Sequence, residues 1–408
     1  MLGRPITISL SPNTESDDVW LAFKTLFSPQ IWKEGGAIED VKQWFRNYFS
    51  VDSAVSFNSG RSALLAILKA FGIGEGDEVL VQAFTCVAVP NSVLWAGAKP
   101  VYVDIDETLN MDPIDVEKKI TKKTKALIVQ HTFGIPAQID ALTKVAKKHN
   151  LIVVEDCAHA LGATYKGKKL GTLGDAAFFS FGRDKVVSSV FGGMAIINGK
   201  WQMANGKLKQ YQETLLYPSY FWIFQQLFHP VAFSLILMSY NFLIGKIFLV
   251  IFQKLRLLSF PVYPEEKKGK QPSDFPAKFP HALAILLIRQ LKKLERYNEN
   301  RKQVADFYRT QLQRRDASLT PPVSGAIYLR FPLLSSKSTQ IIQQARHHGI
   351  YLGNWYHNVI DPTGVDYQAI GYMLGSCPKA EKTATQIVNL PTRITLDQAN
   401  KVIEAINL

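Results

Sequence analysis

The sequence predicts an α/β protein with a mostly parallel central sheet and helices on both faces. A smaller C-terminal α+β domain and an apolar helical insertion complete it. Three observations carry this reading. Between Asn58 and Asn198 short apolar runs alternate with helical patterns, the rhythm of strand–helix–strand units. From Leu283 onward a long helical periodicity leads into mixed segments. Between the two lies Leu216–Gln253, a stretch rich in Phe, Leu, Ile, Tyr and Trp whose one formal charge is Lys246.

In order along the chain, Val79–Val81, Pro100–Val103, Ala126–Val129, Leu151–Glu155, Ala176–Phe181 and Gly193–Ile197 read as strands. Arg61–Phe71, Asp112–Lys118 and Ile139–His149 read as the helices between them. Leu283–Leu312 reads as one or two helices, followed by a strand over Ile327–Phe331 and helices over Ser338–His348 and Leu396–Ile406. The domains expected are residues 1–213 (large), 214–282 (apolar insertion and basic linker) and 283–408 (small). In such sheets ligands sit beyond the carboxyl ends of the strands, so the loops there are the places to search.

Composition excludes several classes. Three cysteines (Cys86, Cys157, Cys377) without a C-x-x-C pair exclude a disulfide scaffold and a thiolate zinc site, and fit a reducing compartment. Met1–Pro12 has no long apolar core of a secretory leader. A net charge of +13 invites an anionic membrane or nucleic acid, but no nucleic-acid module is recognisable.

Three loop motifs carry chemistry. Asn58-Ser59-Gly60-Arg61-Ser62 is a small-residue turn opening a helix, where unpaired N–H groups and the dipole suit a phosphate; alone it equally fits an ordinary N-cap. In Val153–His159 an apolar strand ends in Glu155-Asp156; a carboxylate there can hold a heterocycle protonated, or simply cap a helix. In Phe178–Lys185 a lysine follows a buried aromatic strand; desolvation would free its amine to attack a carbonyl, whereas most lysines are merely solvated.

Taken together, SGRSAL, GDEVLVQAFTCVAVPNSVLWAGAKPVYVDID, EDCAHALGA and GDAAFFSFGRDK…GG resemble the DegT/DnrJ/StrS family of sugar aminotransferases, which use pyridoxal 5′-phosphate (PLP) on the type I fold. The resemblance covers about Trp32–Lys200 and resumes at Leu286–Leu312 and Cys377–Ile403. It implies Lys185 as the lysine that binds PLP and shuttles the proton, and Asp156 as the partner of the ring nitrogen. It implies Gly60, Arg61, Ser62 and Ser180 around the phosphate, and His159 at the phenolic oxygen, where many members have Gln. It further implies an amino-acid donor with glutamate as first choice, a nucleotide-linked keto-sugar acceptor in surface-glycan synthesis, and a homodimer. One subgroup replaces the lysine by histidine and dehydrates sugars; Lys185 favours amino transfer. A dehydratase and a non-catalytic relative remain the alternatives. The departures are Cys86 in place of a stacking aromatic (Phe84 being the possible substitute), Val190-Phe191 in place of Gly-Glu, and Pro276 and Lys278 in place of a partner-facing Asn and Arg.

Tyr217–Phe228 is too short to span a bilayer, His229-Pro230 is expected to break it, and Val231–Phe252 carries Lys246 near its end. A re-entrant or interfacial helix pair at the membrane therefore fits residues 216–253 better than a spanning helix or a protein interface. Trp222 and the basic run Arg256, Lys267, Lys268, Lys270 and Lys278 suit headgroups. The expected location is the cytoplasm, peripheral or monotopic at the membrane. His347-His348 and His357 lack a third ligand at metal spacing, so no metal is expected. Trp355, Tyr356 and His357 either line the substrate pocket or pack the small domain, and His131 either approaches the site or packs behind it.

Overall fold

The computed structural model describes residues 5–240, 244–315 and 317–406. Seven strands form the central sheet: β1 (Ala54–Phe57), β2 (Glu78–Gln82), β3 (Lys99–Val103), β4 (Thr124–Gln130), β5 (Ile152–Asp156), β6 (Ala176–Ser180) and β7 (Gly193–Ile197). Their order is β1-β7-β6-β5-β4-β2-β3, with β7 antiparallel to both neighbours and every other pairing parallel. All six expected strands are present, Gly193–Ile197 with the bounds expected and the others with an end moved by one or two residues. The turn before the phosphate motif is preceded by a strand, β1, that lies outside the expected set.

Strand alternation splits the core between the two faces. Val79, Val81, Ile128 and Val154 pack under helix Gly60–Ala70, while Leu80, Leu127, Val129 and Val153 pack with helix Ile139–Lys148. Asp112 caps Pro113–Lys119 by accepting from the Ile114 N–H at 2.9 Å.

The small domain holds a three-stranded antiparallel sheet of Ser318–Leu319, Arg330–Leu334 and Ile387–Pro391. Its middle strand starts at Arg330, three residues beyond the start expected from the run Ile327–Phe331. The boundary expected at residue 283 does not separate two cores. Leu283, Leu287, Ile327 and Leu329 are buried in one cluster with Phe45, Phe179 and Phe181 of the large domain. The long periodicity resolves into two helices, His281–Leu291 and Leu294–Gln313. Two short pairings tie the domains: Ile6–Thr7 with Ile350–Tyr351, and Thr85–Cys86 with Ile360–Asp361.

The insertion differs from expectation in one respect. Helix Tyr220–Met238 runs through Pro230 without a break. An interior proline costs about 3 kcal/mol, and here burial offsets it. Leu227, His229, Pro230 and Ala232 face the interior, His229 stacks on Phe233 with centroids 4.1 Å apart, and its Nε2 lies 2.8 Å from Ser11 Oγ. The helix ends at Met238; the expected second piece, Val231–Phe252, crosses residues 241–243, which lie outside the described residues. Beyond it, helix Ile244–Lys254 exposes Ile244, Ile247, Phe248, Val250 and Ile251. Among the described residues one helix, Tyr220–Met238, is long and apolar enough to cross a membrane, and half of it is buried inside the protein.

Candidate active site

The carboxyl ends of β1, β5 and β6 open onto one cavity of about 430 Å³. Ser59, Gly60, Arg61, Asp156, His159, Ser180 and Lys185 line it from the large domain, and Arg330, Trp355, Tyr356 and Asp361 from the small one. The motifs separated by more than a hundred residues of sequence therefore converge.

Lys185 follows the tight turn after β6. Asn13 Nδ2 donates to the Lys185 carbonyl at 2.5 Å, and Arg301 Nη2 donates to the carbonyls of Val186 and Asn13's side chain, both at 2.8 Å. This buried clamp fixes the loop. Lys185 Nζ lies 2.9 Å from His159 Nε2. The Phe133 N–H donates to His159 Nδ1 at 3.3 Å, which leaves the neutral ring's hydrogen on Nε2. That hydrogen points at the amine, so the pair is satisfied when Lys185 is neutral and accepts. Burial pushes the lysine down from its ordinary range, and burial with the Lys185 and Arg330 charges pushes His159 well down.

Glu155 and Asp156 alternate across β5. Glu155 faces away from the cavity and accepts from the N–H groups of Gly171, Leu173 and Gly174 at 2.7–2.8 Å, and from His131 Nε2 at 3.1 Å. His131 thus packs behind the site. Together with Cys157 these two residues form the one buried cluster of metal-ligand types among the described residues. Its carboxylate is already saturated by backbone donors, and burial raises the Cys157 thiol far above its usual range, so it does not suit a metal. Asp156 Oδ1 accepts from the Ala158 N–H at 2.9 Å, and the residue faces the cavity. Burial pushes its carboxyl up, while that N–H and the Lys185 charge pull it back. A cationic ring nitrogen against it adds the opposite charge that keeps it ionised.

At the phosphate turn Ser59 caps the helix, accepting from the Ser62 N–H at 3.2 Å. Gly60 and Arg61 start the helix, where N–H groups have no intrahelical partner. A Cβ on Gly60 would lie 2.8 Å from Ser180 Cβ, so glycine is needed for the turn to close on Ser180. Ser62 departs from expectation: its hydroxyl is buried, 2.8 Å from Asn58 Oδ1 and 2.7 Å from Ser59 Oγ, and it does not line the cavity, whereas Ser59 does. The Arg61 side chain is also committed elsewhere, paired with buried Glu266 and donating to the Pro261 carbonyl at 2.7 Å.

The departures resolve unevenly. Cys86 lines the cavity, but Phe84 does not replace the missing aromatic: it is fully buried against Phe133 and Tyr356. Val190 takes φ +71°, a left-handed conformation that a β-branched residue adopts only under strain. Phe191 stacks on Phe275. Lys278 sits over the Tyr217 ring, away from this cavity. Trp355 and Tyr356 line the cavity; His357 is exposed and pairs with Asp361 at 3.2 Å, which raises its imidazole. The basic linker is not a free tether, because Phe260, Pro261, Val262 and Lys267 form part of the cavity wall.

Sequence reading missed Arg330, Glu266, Asn13 and Arg301. For Arg330 a signal existed, a single charge inside the apolar run Ile327–Leu334. The others are polar residues whose partners lie more than a hundred positions away, and no local pattern marks them.

A buried lysine amine in contact with a histidine, a strand-end carboxylate and a helix-start anion cradle define a type I PLP enzyme site. The chain belongs to the DegT/DnrJ/EryC1/StrS aminotransferase family, whose pattern matches residues 14–208 and 253–407 and skips most of the apolar insertion. It is 45% identical over 189 residues to GDP-perosamine synthase of Caulobacter vibrioides, a match covering 46% of this chain and 51% of that protein. Against the pleiotropic regulatory protein of Geobacillus stearothermophilus it is 30% identical over 88% of this chain and 85% of that one. The chain thus spans about half the length of the first curated relatives it matches. The solved structure of S. venezuelae DesV shares the fold, with a TM-score of 0.74 at 24% identity over 99% of this chain and 98% of that one.

The residues present fit pyridoxal 5′-phosphate. Gly60, Arg61 and Ser180 offer the phosphate contacts, Asp156 the ring-nitrogen partner, His159 Nε2–H a donor for the phenolic oxygen, and Lys185 the attachment amine.

Proposed function

We propose that this protein is a PLP-dependent aminotransferase moving an amino group from an amino acid, glutamate first, to a nucleotide-linked keto-sugar in surface-glycan synthesis. The observation that carries it is the Lys185–His159 contact of 2.9 Å in the same cavity as Asp156, Gly60 and Ser180. The name of the C. vibrioides relative, a GDP-perosamine synthase, supports a nucleotide-sugar substrate.

The bound cofactor supplies an electron sink for a carbanion at the donor's Cα. The protein does the rest. Asp156 keeps the ring nitrogen protonated, and the turn at Gly60 with Ser180 fixes the phosphate end. Lys185 Nζ, whose burial disfavours the charged form, is the base that would take the proton from the donor's Cα and carry it within the site. His159, lacking a charge, donates a hydrogen bond without competing for that proton. Because Lys185 rather than histidine stands here, amino transfer is favoured over sugar dehydration.

The deciding experiment incubates the protein with nitrogen-labelled glutamate and a panel of nucleotide keto-sugars. Label in the sugar supports the reading, and Lys185→Ala should lower the rate by about 10²–10⁴-fold with loss of the bound cofactor's visible band. A dehydrated, unlabelled sugar would move the assignment to a dehydratase. Absence of any visible band after PLP addition would point to a non-catalytic relative.

Two further parts of the reading concern assembly. The family resemblance supports a homodimer, checked by sedimentation velocity; an active monomer would contradict it. The exposed apolar side chains Leu235, Met238, Ile247, Phe248 and Ile251, with Lys254 and Arg256 beside them, support work at the cytoplasmic face of an anionic membrane. Flotation with vesicles containing phosphatidylserine should carry the protein, and vesicles of phosphatidylcholine alone should carry less. Failure to float with either discards the membrane role.

A further inference from the structure

The family pattern stops at residue 208 and resumes at 253, so it assigns no role to the apolar insertion. One glutamine gives the insertion a route to the chemistry. Gln226 lies on helix Tyr220–Met238 and is fully buried. A polar amide in an apolar interior is costly unless its hydrogen bonds are made. Both ends of this one are used. Nε2 donates to the Trp222 carbonyl at 2.8 Å, one turn earlier in the same helix. Oε1 accepts from Ser259 Oγ at 2.8 Å.

The direction of each bond fixes the next. A carbonyl only accepts, so the amide nitrogen must face Trp222 and the amide oxygen must face Ser259. The Ser259 hydrogen therefore points at Gln226, and the hydroxyl lone pairs are left for another donor. Arg183 Nη2 supplies it, donating to Ser259 Oγ at 2.5 Å and to the Ser259 carbonyl at 2.6 Å. Among the described residues the Arg183 side chain makes its hydrogen bonds to Ser259 alone, and its buried Nε has no partner.

Arg183 stands two residues before Lys185, in the turn that follows β6, and lines the same cavity. Beyond the lysine, Asn13 Nδ2 holds the Lys185 carbonyl. The turn is thus gripped at both ends, by the N-terminal segment after the lysine and by the insertion before it. Inside the turn the Lys185 N–H donates to the Gly182 carbonyl at 3.2 Å, the long end of the useful range. Misplacing a reacting group by about 1 Å can cost about 100-fold in rate, so an anchor this near the amine bears on the chemistry.

We propose that Gln226, acting through Ser259 and Arg183, is a positioning residue for the Lys185 amine. The proposal rests on the aminotransferase reading and gives the insertion a part in that same site. The three residues fix the turn; Lys185 does the chemistry.

The test uses the full-length protein. Gln226→Met keeps the length of the side chain and removes the acceptor. Without PLP, hydrogen exchange across Phe181–Ser189 should quicken by about 10-fold, the loss of one hydrogen bond. With PLP bound, kcat should fall by about 10–100-fold, both KM values should stay unchanged, and the visible band should shift. Ser259→Ala should act alike, whereas Ser259→Thr, which keeps the hydroxyl, should behave as wild type. Leu227→Ala is the control: Leu227 is buried on the same helix but outside the relay, so it should lower the unfolding midpoint and leave exchange of the turn and the visible band alone.

Wild-type exchange in Gln226→Met overturns the proposal. So does an equal change in Leu227→Ala, which would make the effect one of general stability. Faster exchange with kcat and spectrum unaltered rejects the positioning role, and a raised KM with kcat intact rejects it by moving Arg183 into substrate binding. Should Gln226→Met fail to fold, the two Ser259 variants decide, and equal behaviour of Ser259→Ala and Ser259→Thr rejects the relay. If the wild-type protein moves no nitrogen to any keto-sugar, the aminotransferase reading itself fails; exchange and the visible band need no turnover and still decide the relay.

Discussion

The loops at the carboxyl edge of the sheet and the apolar insertion obey different rules, and their point of contact is instructive. At the sheet edge, Lys185, Asp156 and Ser59 are each held by backbone or side-chain hydrogen bonds of short local reach or by one clamp. The insertion has few polar groups, but those it has reach into that edge. Gln226 accepts from Ser259 Oγ at 2.8 Å, Ser259 accepts from Arg183 at 2.5 Å, and Glu266 pairs with Arg61. By composition the segment looks appended to an enzyme. By contact its inward face braces the linker that follows it, whose residues 260–262 and 267 form part of the cavity wall, while another apolar face is left outside.

The largest effect should come from the inward face. Trp222 is buried, in contact with Phe191, and its Nε1 donates to Tyr263 at 3.1 Å. Trp222→Ala should cost about 3–5 kcal/mol in denaturant unfolding. Phe248→Ser on the outward helix should change stability by less than about 0.5 kcal/mol while reducing vesicle flotation. Equal losses from both would erase the distinction between the faces.

Next comes the link itself. Glu266→Gln strands the Arg61 guanidinium, a loss of about 3 kcal/mol, and should loosen PLP binding because helix Gly60–Ala70 loses its tether. Unaltered cofactor affinity would detach the linker from the site. Smaller, and of opposite sign, Val190→Gly should stabilise the fold by about 1–2 kcal/mol, relieving a left-handed φ of +71° at the cavity wall. A destabilised variant would mean that the Val190 side chain contributes more by packing than its backbone loses.

The smallest effect is a pH slope. His159 and His229 are both pushed well below their ordinary range by burial, so in the folded state they stay neutral where the unfolded chain takes up protons. Stability should therefore fall as pH drops through about 6.5, by at most about 1.4 kcal/mol per unit for each residue. His229→Gln should flatten the slope in the insertion without altering the visible spectrum, and His159→Gln should flatten it while shifting that spectrum. A slope left intact by both would assign acid sensitivity to carboxylates.

Much of the fold was legible because its signals are local. Six apolar runs became β2 to β7, since short buried strands between helices have no other way to satisfy their backbone. Lys185, Asp156, His159, Gly60 and Ser180 stand in loop motifs at strand ends, and all five line the cavity. Ser62 was misplaced because a helix cap and a ligand contact look the same in sequence; the cap consumed its hydroxyl. The expected break at Pro230 failed because burial of its neighbours outweighed a local penalty.

The sequence alone determined which residue types stand at the strand ends, and with them the chemistry this chain can attempt. Tertiary structure decided partnership. It gave Arg61 a carboxylate and set Arg330 over the Trp355 ring, and it turned Glu155 away while placing Asp156 at the cavity. Those outcomes depend on contacts between segments far apart in the chain, where burial sets the cost of a charge and geometry decides what neutralises it.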